Sequence, residues 1–198
     1  MQNRWTIPIT IIAFILSAGC AATNPAPESP VLPAVSPSVT VTTPLPGPFT
    51  LHVANLNPGD PLPDNYTCKG TSESPEVSWD NVPAGTKSLV LLVVDPDAQN
   101  GVFTHWIVYN IPPESRGLTP AQPNLKVLSN GAQQGENSAG SRSYYPPCPP
   151  PGPAHRYNFL LFAVDMDIVQ PAADRDSIDW ALDGHTLGQA KFTTTFKR

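Results

Sequence analysis

The sequence predicts an all-β domain, a sandwich of antiparallel sheets with one short helix near its C-terminal end. From Phe49 onward, short runs rich in β-branched and aromatic residues alternate with Gly, Pro, Asn and Asp breaks, the rhythm of sheets packed face to face. The run Leu89-Val90-Leu91-Leu92-Val93-Val94 is apolar at every position, as a central strand covered on both faces must be. Helical periodicity is best developed in Asp176–Asp183, with Ile178, Ala181 and Leu182 on one side and Asp174 or Ser177 as its cap.

The strongest strands are Ser88–Asp95, Phe103–Asn110, His155–Asp165 and Lys191–Phe196. In Phe103–Asn110 the two-residue period sets His105, Ile107 and Tyr109 on one face, and Trp106 and Val108 on the other.

The N-terminus reads as an export signal over residues 1–19. Arg4 supplies a positive start, Ile7–Leu16 an apolar stretch, and Ser17-Ala18-Gly19 a small-residue run ending at Cys20. About ten apolar residues cannot span a hydrocarbon core of roughly 30 Å. The Cys after Ala-Gly resembles a lipobox, in which that Cys is lipidated and becomes the first mature residue; Ser17 stands where the pattern prefers Leu. An uncleaved anchor, or an ordinary signal cut near Ala22, are the alternatives. All three place the domain outside the cytoplasm, and the first ties it to the membrane through lipid.

Residues 20–48 read as a tether. After Cys20 the stretch is Pro, Ser, Thr, Ala and Val with one charge, Glu28, and no aromatic residue, so it cannot bury enough apolar surface to offset its ordering entropy. Fully extended as polyproline it reaches roughly 85 Å. The folded domain is then residues 49–198, a length that supports one core.

A formal net charge of -5, with only 11 Lys and Arg, lacks the basic stripe that neutralises phosphates along a nucleic acid, so DNA and RNA are not expected partners. With Cys20 set aside, Cys68 and Cys148 are an even pair in an oxidising compartment, which predicts a disulfide. Cys148 lies between prolines with no helix N-terminus to lower its pKa, which argues against a nucleophile.

Titratable groups gather at the ends of apolar strands. Asp95-Pro96-Asp97 closes the most apolar one, and the proline holds two carboxylates two residues apart on a stiff backbone. They fit a metal site, an acid–base pair, or a device that orients a nearby imidazole. His105 and His155, each near the start of a strand, are the candidate partners. In the third case a carboxylate on one ring nitrogen favours the charged imidazole, whose other N–H is free for a ligand oxygen. Each residue alone also fits a plain structural role: a packed histidine, or an Asx turn at Asp-Pro-Asp.

The order of motifs adds to this. Cys68-Lys69-Gly70, Ser74-Pro75-Glu76-Val77-Ser78-Trp79, Asp95-Pro96-Asp97-Ala98, His105-Trp106, Pro147-Cys148-Pro149-Pro150 and His155-Arg156-Tyr157 resemble the phosphatidylethanolamine-binding (Raf kinase inhibitor-like) family, in its prokaryotic YbhB/YbcL branch. The resemblance covers Phe49 to Arg198. It implies a two-sheet Greek-key fold with a small cavity for phosphate-like anions, lined by Asp95, Asp97, His105, His155 and Tyr157, with Pro149 and Pro150 on its rim. Pro146 stands where the family usually has Gly, which removes a backbone donor from that loop.

The expected function is therefore a non-enzymatic binding module, without a cofactor or metal, for a small phosphorylated or otherwise anionic ligand at the cell surface. Inhibition of an extracellular protease, through a protein partner, is the alternative. A hydrolase is disfavoured because the chain has no Gly-x-Ser-x-Gly elbow and no His-Glu-x-x-His. A metal held by the two Asp and two His has acceptable ligand types but no ordinary metal spacing.

Overall fold

The computed structural model describes residues 47–198, so the expected export signal, Cys20 and nearly all of the expected tether lie outside the described residues. Nine strands-and-helix elements follow in order: β1 (Thr50–Val53), β2 (Val77–Asp80), β3 (Ser88–Asp95), β4 (Phe103–Ile111), β5 (Gly117–Leu118), β6 (Gln133–Gln134), β7 (His155–Val164), α1 (Arg175–Leu182) and β8 (Thr186–Phe196). They form a three-stranded sheet, β1-β2-β5, and a five-stranded sheet, β6-β4-β3-β7-β8, with antiparallel pairing throughout. In the larger sheet β7 returns to pair with β3 rather than with β4, the crossover of a Greek key.

β3 is buried at all eight positions, as its unbroken apolar run requires. Its two faces serve two cores. Leu89, Leu91 and Val93 pack between the sheets against Trp79, Trp106, Phe159 and Leu161. Val90, Leu92 and Val94 pack on the opposite face with Ile107, Tyr109, Ile178 and Ala181, where α1 covers the larger sheet. Asp174 caps α1, its carboxylate accepting from the Ser177 amide at 2.9 Å.

β4 departs from strict alternation. Val93 pairs with Trp106 but Val94 with Thr104, so His105 is an extra residue on β4, a β-bulge. This corrects the expected sidedness: Ile107 and Tyr109 enter the helix-side core, whereas the His105 ring packs edge-on to Tyr157, a member of the inter-sheet core. The bulge turns His105 toward the side where Trp106 already points. A second shift, between Leu89 and Leu91, falls opposite Asn110, which has φ of +52° and ties its side chain to both backbone groups of Ile168.

β8 starts five residues earlier than the expected Lys191, because Thr186 to Ala190 continue the ladder with β7 despite their polar content. Gly188 sits there under Pro83, whose ring would lie 2.8 Å from any added Cβ.

Candidate anion-binding site

The C-terminal end of β3 and the N-terminal ends of β4 and β7 meet at one end of the larger sheet's central strands, where Asp95 pairs with Phe103 and Val94 with Asn158. A cavity of about 550 Å³ opens there. Asp95, His105, Pro149, Pro150, His155 and Tyr157 line it, together with the turn from Ala98 to Val102. That turn closes through Gly101, whose φ of +97° only glycine adopts without strain. A second cavity, of about 460 Å³, is lined by Asp80, Asn81, Pro83 and Arg116 among others and gathers no histidine.

Both imidazoles are held through Nδ1. His155 Nδ1 donates to Asp95 Oδ2 at 2.8 Å. His105 Nδ1 donates to the Tyr145 carbonyl at 2.8 Å, and the Tyr145 amide donates back to the His105 carbonyl at 2.9 Å. An acceptor on Nδ1 fixes the tautomer and leaves Nε2 as each ring's remaining polar atom. Among the described residues neither Nε2 has a hydrogen-bond partner.

The Tyr157 hydroxyl is buried beside the Asp95 carboxylate and makes no hydrogen bond of good geometry. Burial, with the Asp95 carboxylate beside it, pushes its pKa above the ordinary phenol value, so it stays a donor. Burial likewise lowers the His105 pKa; the bond to Tyr145 and the Asp95 carboxylate oppose this shift, and His155 adds to it. His105 is thus biased toward the neutral ring.

Asp97 does not join the wall. The two-residue period of β7 sends His155 and Tyr157 inward and Arg156 outward, where it takes up the Asp97 carboxylate. The Arg156 amide and Nε donate to Oδ2, each at 2.9 Å, and Nη2 donates to Oδ1 at 2.6 Å. This fork holds the Asp97 carboxyl far below the usual carboxylate range. Its backbone still serves the site, because the Asp97 amide donates to Asp95 Oδ1 at 2.8 Å.

Sequence reasoning missed Tyr145, Phe103 and Ser138. The Phe103 ring lies 4.7 Å from the His105 ring and 5.6 Å from that of Tyr145. Ser138 fastens the start of β4, its Oγ accepting from the Thr104 amide at 2.9 Å. The Tyr144-Tyr145 pair directly before the proline run was the available signal. The disulfide is present: Cys68 and Cys148 are joined, with Cα atoms 5.4 Å apart across 80 residues of chain, and Cys148 lines the cavity.

A two-sheet β fold with one short helix and a cavity at the ends of its central strands, built around an Asp-held histidine, defines a small-ligand-binding class. The sequence profile described as phosphatidylethanolamine-binding protein matches residues 53–197, and the chain belongs to that family. It is 44% identical over 138 residues to a "UPF0098 protein" of Methanothermobacter thermautotrophicus, covering 69% of this chain and 91% of that one. It is 34% identical over 178 residues to a Mycobacterium tuberculosis protein named "Putative lipoprotein LppC", covering 86% and 84%. Among solved structures, the Chlamydia trachomatis homologue CT736 superposes with a TM-score of 0.70 at 34% identity, over 76% of this chain and 98% of that one. Escherichia coli YbcL gives 0.70 at 27%, over 77% and 99%.

Proposed function

We propose that the domain is an extracytoplasmic, non-enzymatic binding protein for a small phosphate-like anion, of which a phospholipid headgroup is one form, held at the membrane by lipid on Cys20. The observation that carries this is the convergence of three unsatisfied polar atoms in one cavity: Nε2 of His105, Nε2 of His155 and the Tyr157 hydroxyl. A phosphoryl group offers acceptor oxygens for all three. Each imidazole becomes a second donor by taking up a proton, which a bound anion favours.

The wall also argues for binding rather than turnover. Its nucleophile-type side chains are engaged, Ser138 by the Thr104 amide and Cys148 in the disulfide. Asp95 spends both oxygens on His155 and the Asp97 amide. Among the described residues no three of His, Cys, Asp and Glu are grouped to hold a metal. The location draws on the Ala-Gly-Cys20 sequence and on the likeness to a protein that bears a lipoprotein name.

The test is a thermal-shift series with inorganic phosphate, O-phosphorylethanolamine, nucleotides and divalent metals. Phosphate monoesters should raise the melting temperature. A rise with Zn²⁺ or Mn²⁺ alone would replace this reading with a metal site.

A further inference from the structure

The backbone hydrogen bonding and the covalent tie of the proline wall both end on one residue, although Pro147 and Pro149 are also buried. Six of the nine residues from Pro146 to Ala154 are proline, which has no amide hydrogen to donate. Among the described residues this segment makes a single backbone–backbone hydrogen bond, from the Cys68 amide to the Pro147 carbonyl at 3.1 Å. Its covalent tie, the disulfide from Cys148, also ends on Cys68. Pro149 and Pro150, which follow Cys148 directly, line the cavity, and the segment runs straight into His155. The strands have their own support, since β7 pairs with β3 on one side and β8 on the other.

The bridge is also placed for exchange. Cys148 is exposed and Cys68 half-buried. The Arg198 guanidinium lies 3.6 Å from the Cys148 sulfur, where a positive charge stabilises a departing thiolate.

We propose that the Cys68–Cys148 bridge is a thiol-exchange site that sets the ligand affinity of the cavity, an inference that rests on the anion-binding reading above. The reductant is a dithiol, as in proteins of the disulfide-oxidoreductase class. One of its thiolates attacks the Cys68 sulfur; the S–S bond breaks and its electron pair leaves on Cys148 beside Arg198. The second thiol then attacks its own partner sulfur in the mixed disulfide and releases Cys68. Two electrons and two protons pass to the protein, and the dithiol becomes a disulfide. The proline segment then keeps one hydrogen bond, and the wall formed by Pro149 and Pro150 loosens while the sheets persist.

The experiment titrates O-phosphorylethanolamine into the full-length protein, oxidised and then reduced with dithiothreitol, with the Cys68→Ser/Cys148→Ser double variant in parallel. Far-UV and near-UV circular dichroism report whether each form stays folded. The expected result is a folded reduced protein that binds about tenfold more weakly, with saturating ligand making the bridge correspondingly harder to reduce. Equal affinity in the two redox states would overturn the inference and leave the binding reading standing. Global unfolding on reduction would overturn it too, since the bridge would then serve stability alone. Absence of binding by either form would remove the anion-binding reading, and the inference with it.

Discussion

Asp95 accepts from the His155 ring through one oxygen and from the Asp97 amide through the other, each at 2.8 Å, so one buried carboxylate fixes both an imidazole and the turn that closes the cavity. Asp95→Asn keeps the shape but turns an amide donor toward either the ring N–H or the backbone N–H. It should cost about 1–3 kcal/mol of stability in urea unfolding. Binding of a phosphate monoester should weaken about tenfold. An Asn variant that matches wild type in both would show that the pairing does not orient the site.

Asp97 provides the contrast. Its salt bridge with Arg156 is solvent-facing, and exposed pairs contribute at most about 1 kcal/mol. Asp97→Ala keeps the amide that holds Asp95, so phosphate affinity should stay within about fivefold of wild type, the equivalent of that energy. A loss as large as that of Asp95→Asn would put the Asp97 side chain back among the ligand groups.

His105 gives the fold a pH dependence of known sign. Its pKa is lowered in the folded state by burial, against the opposing effects of Tyr145 and Asp95, so the unfolded chain binds the proton more readily. Between the folded pKa and the unfolded value of about 6.5, stability rises with pH; it is full above that range and is lost as pH falls through it. Urea midpoints measured in anion-free buffers from neutral to mildly acidic pH should therefore fall more steeply for wild type than for His105→Gln. Parallel profiles would mean that burial of the ring does not bear on folding.

Cys20→Ser should move the protein from the membrane fraction to the soluble one. Continued membrane retention, with the apolar stretch Ile7–Leu16 still present by mass spectrometry, would point to an uncleaved anchor.

Much of this arrangement was legible in the chain, for reasons that differ by element. β3 announced itself because burial on both faces demands an unbroken apolar run, and α1 because its cap and apolar side follow helical spacing. The small sheet did not: β5 has two residues, and β2 has four whose pairing partners are distant in sequence. At the site, carboxylates and imidazoles at strand ends marked Asp95, Asp97, His105 and His155 as candidates, but which carboxylate holds which ring depends on β7 lying beside β3, which the chain does not announce. The partner of His105 was not legible either, because the bulge reverses the side that alternation assigns, and the acceptor is a backbone carbonyl that leaves no mark in side-chain chemistry. The outward turn of Asp97 was readable in retrospect, since alternation in His155-Arg156-Tyr157 places a cation opposite it.

In the proposed function the two imidazoles donate hydrogen bonds to a bound anion. Calorimetric titration of wild type, His105→Ala and His155→Ala across about pH 6 to 8.5 tests it most directly, using O-phosphorylethanolamine and, because a phosphate monoester itself titrates near pH 6, inorganic sulfate as a fully ionised probe. Affinity for sulfate, and for O-phosphorylethanolamine once its phosphate is fully ionised, should fall as pH rises past the bound-state histidine pKa, with proton uptake on binding, and each variant should bind about ten- to a hundredfold more weakly. Full affinity in both folded variants, or sulfate binding that strengthens as pH rises, would contradict the account.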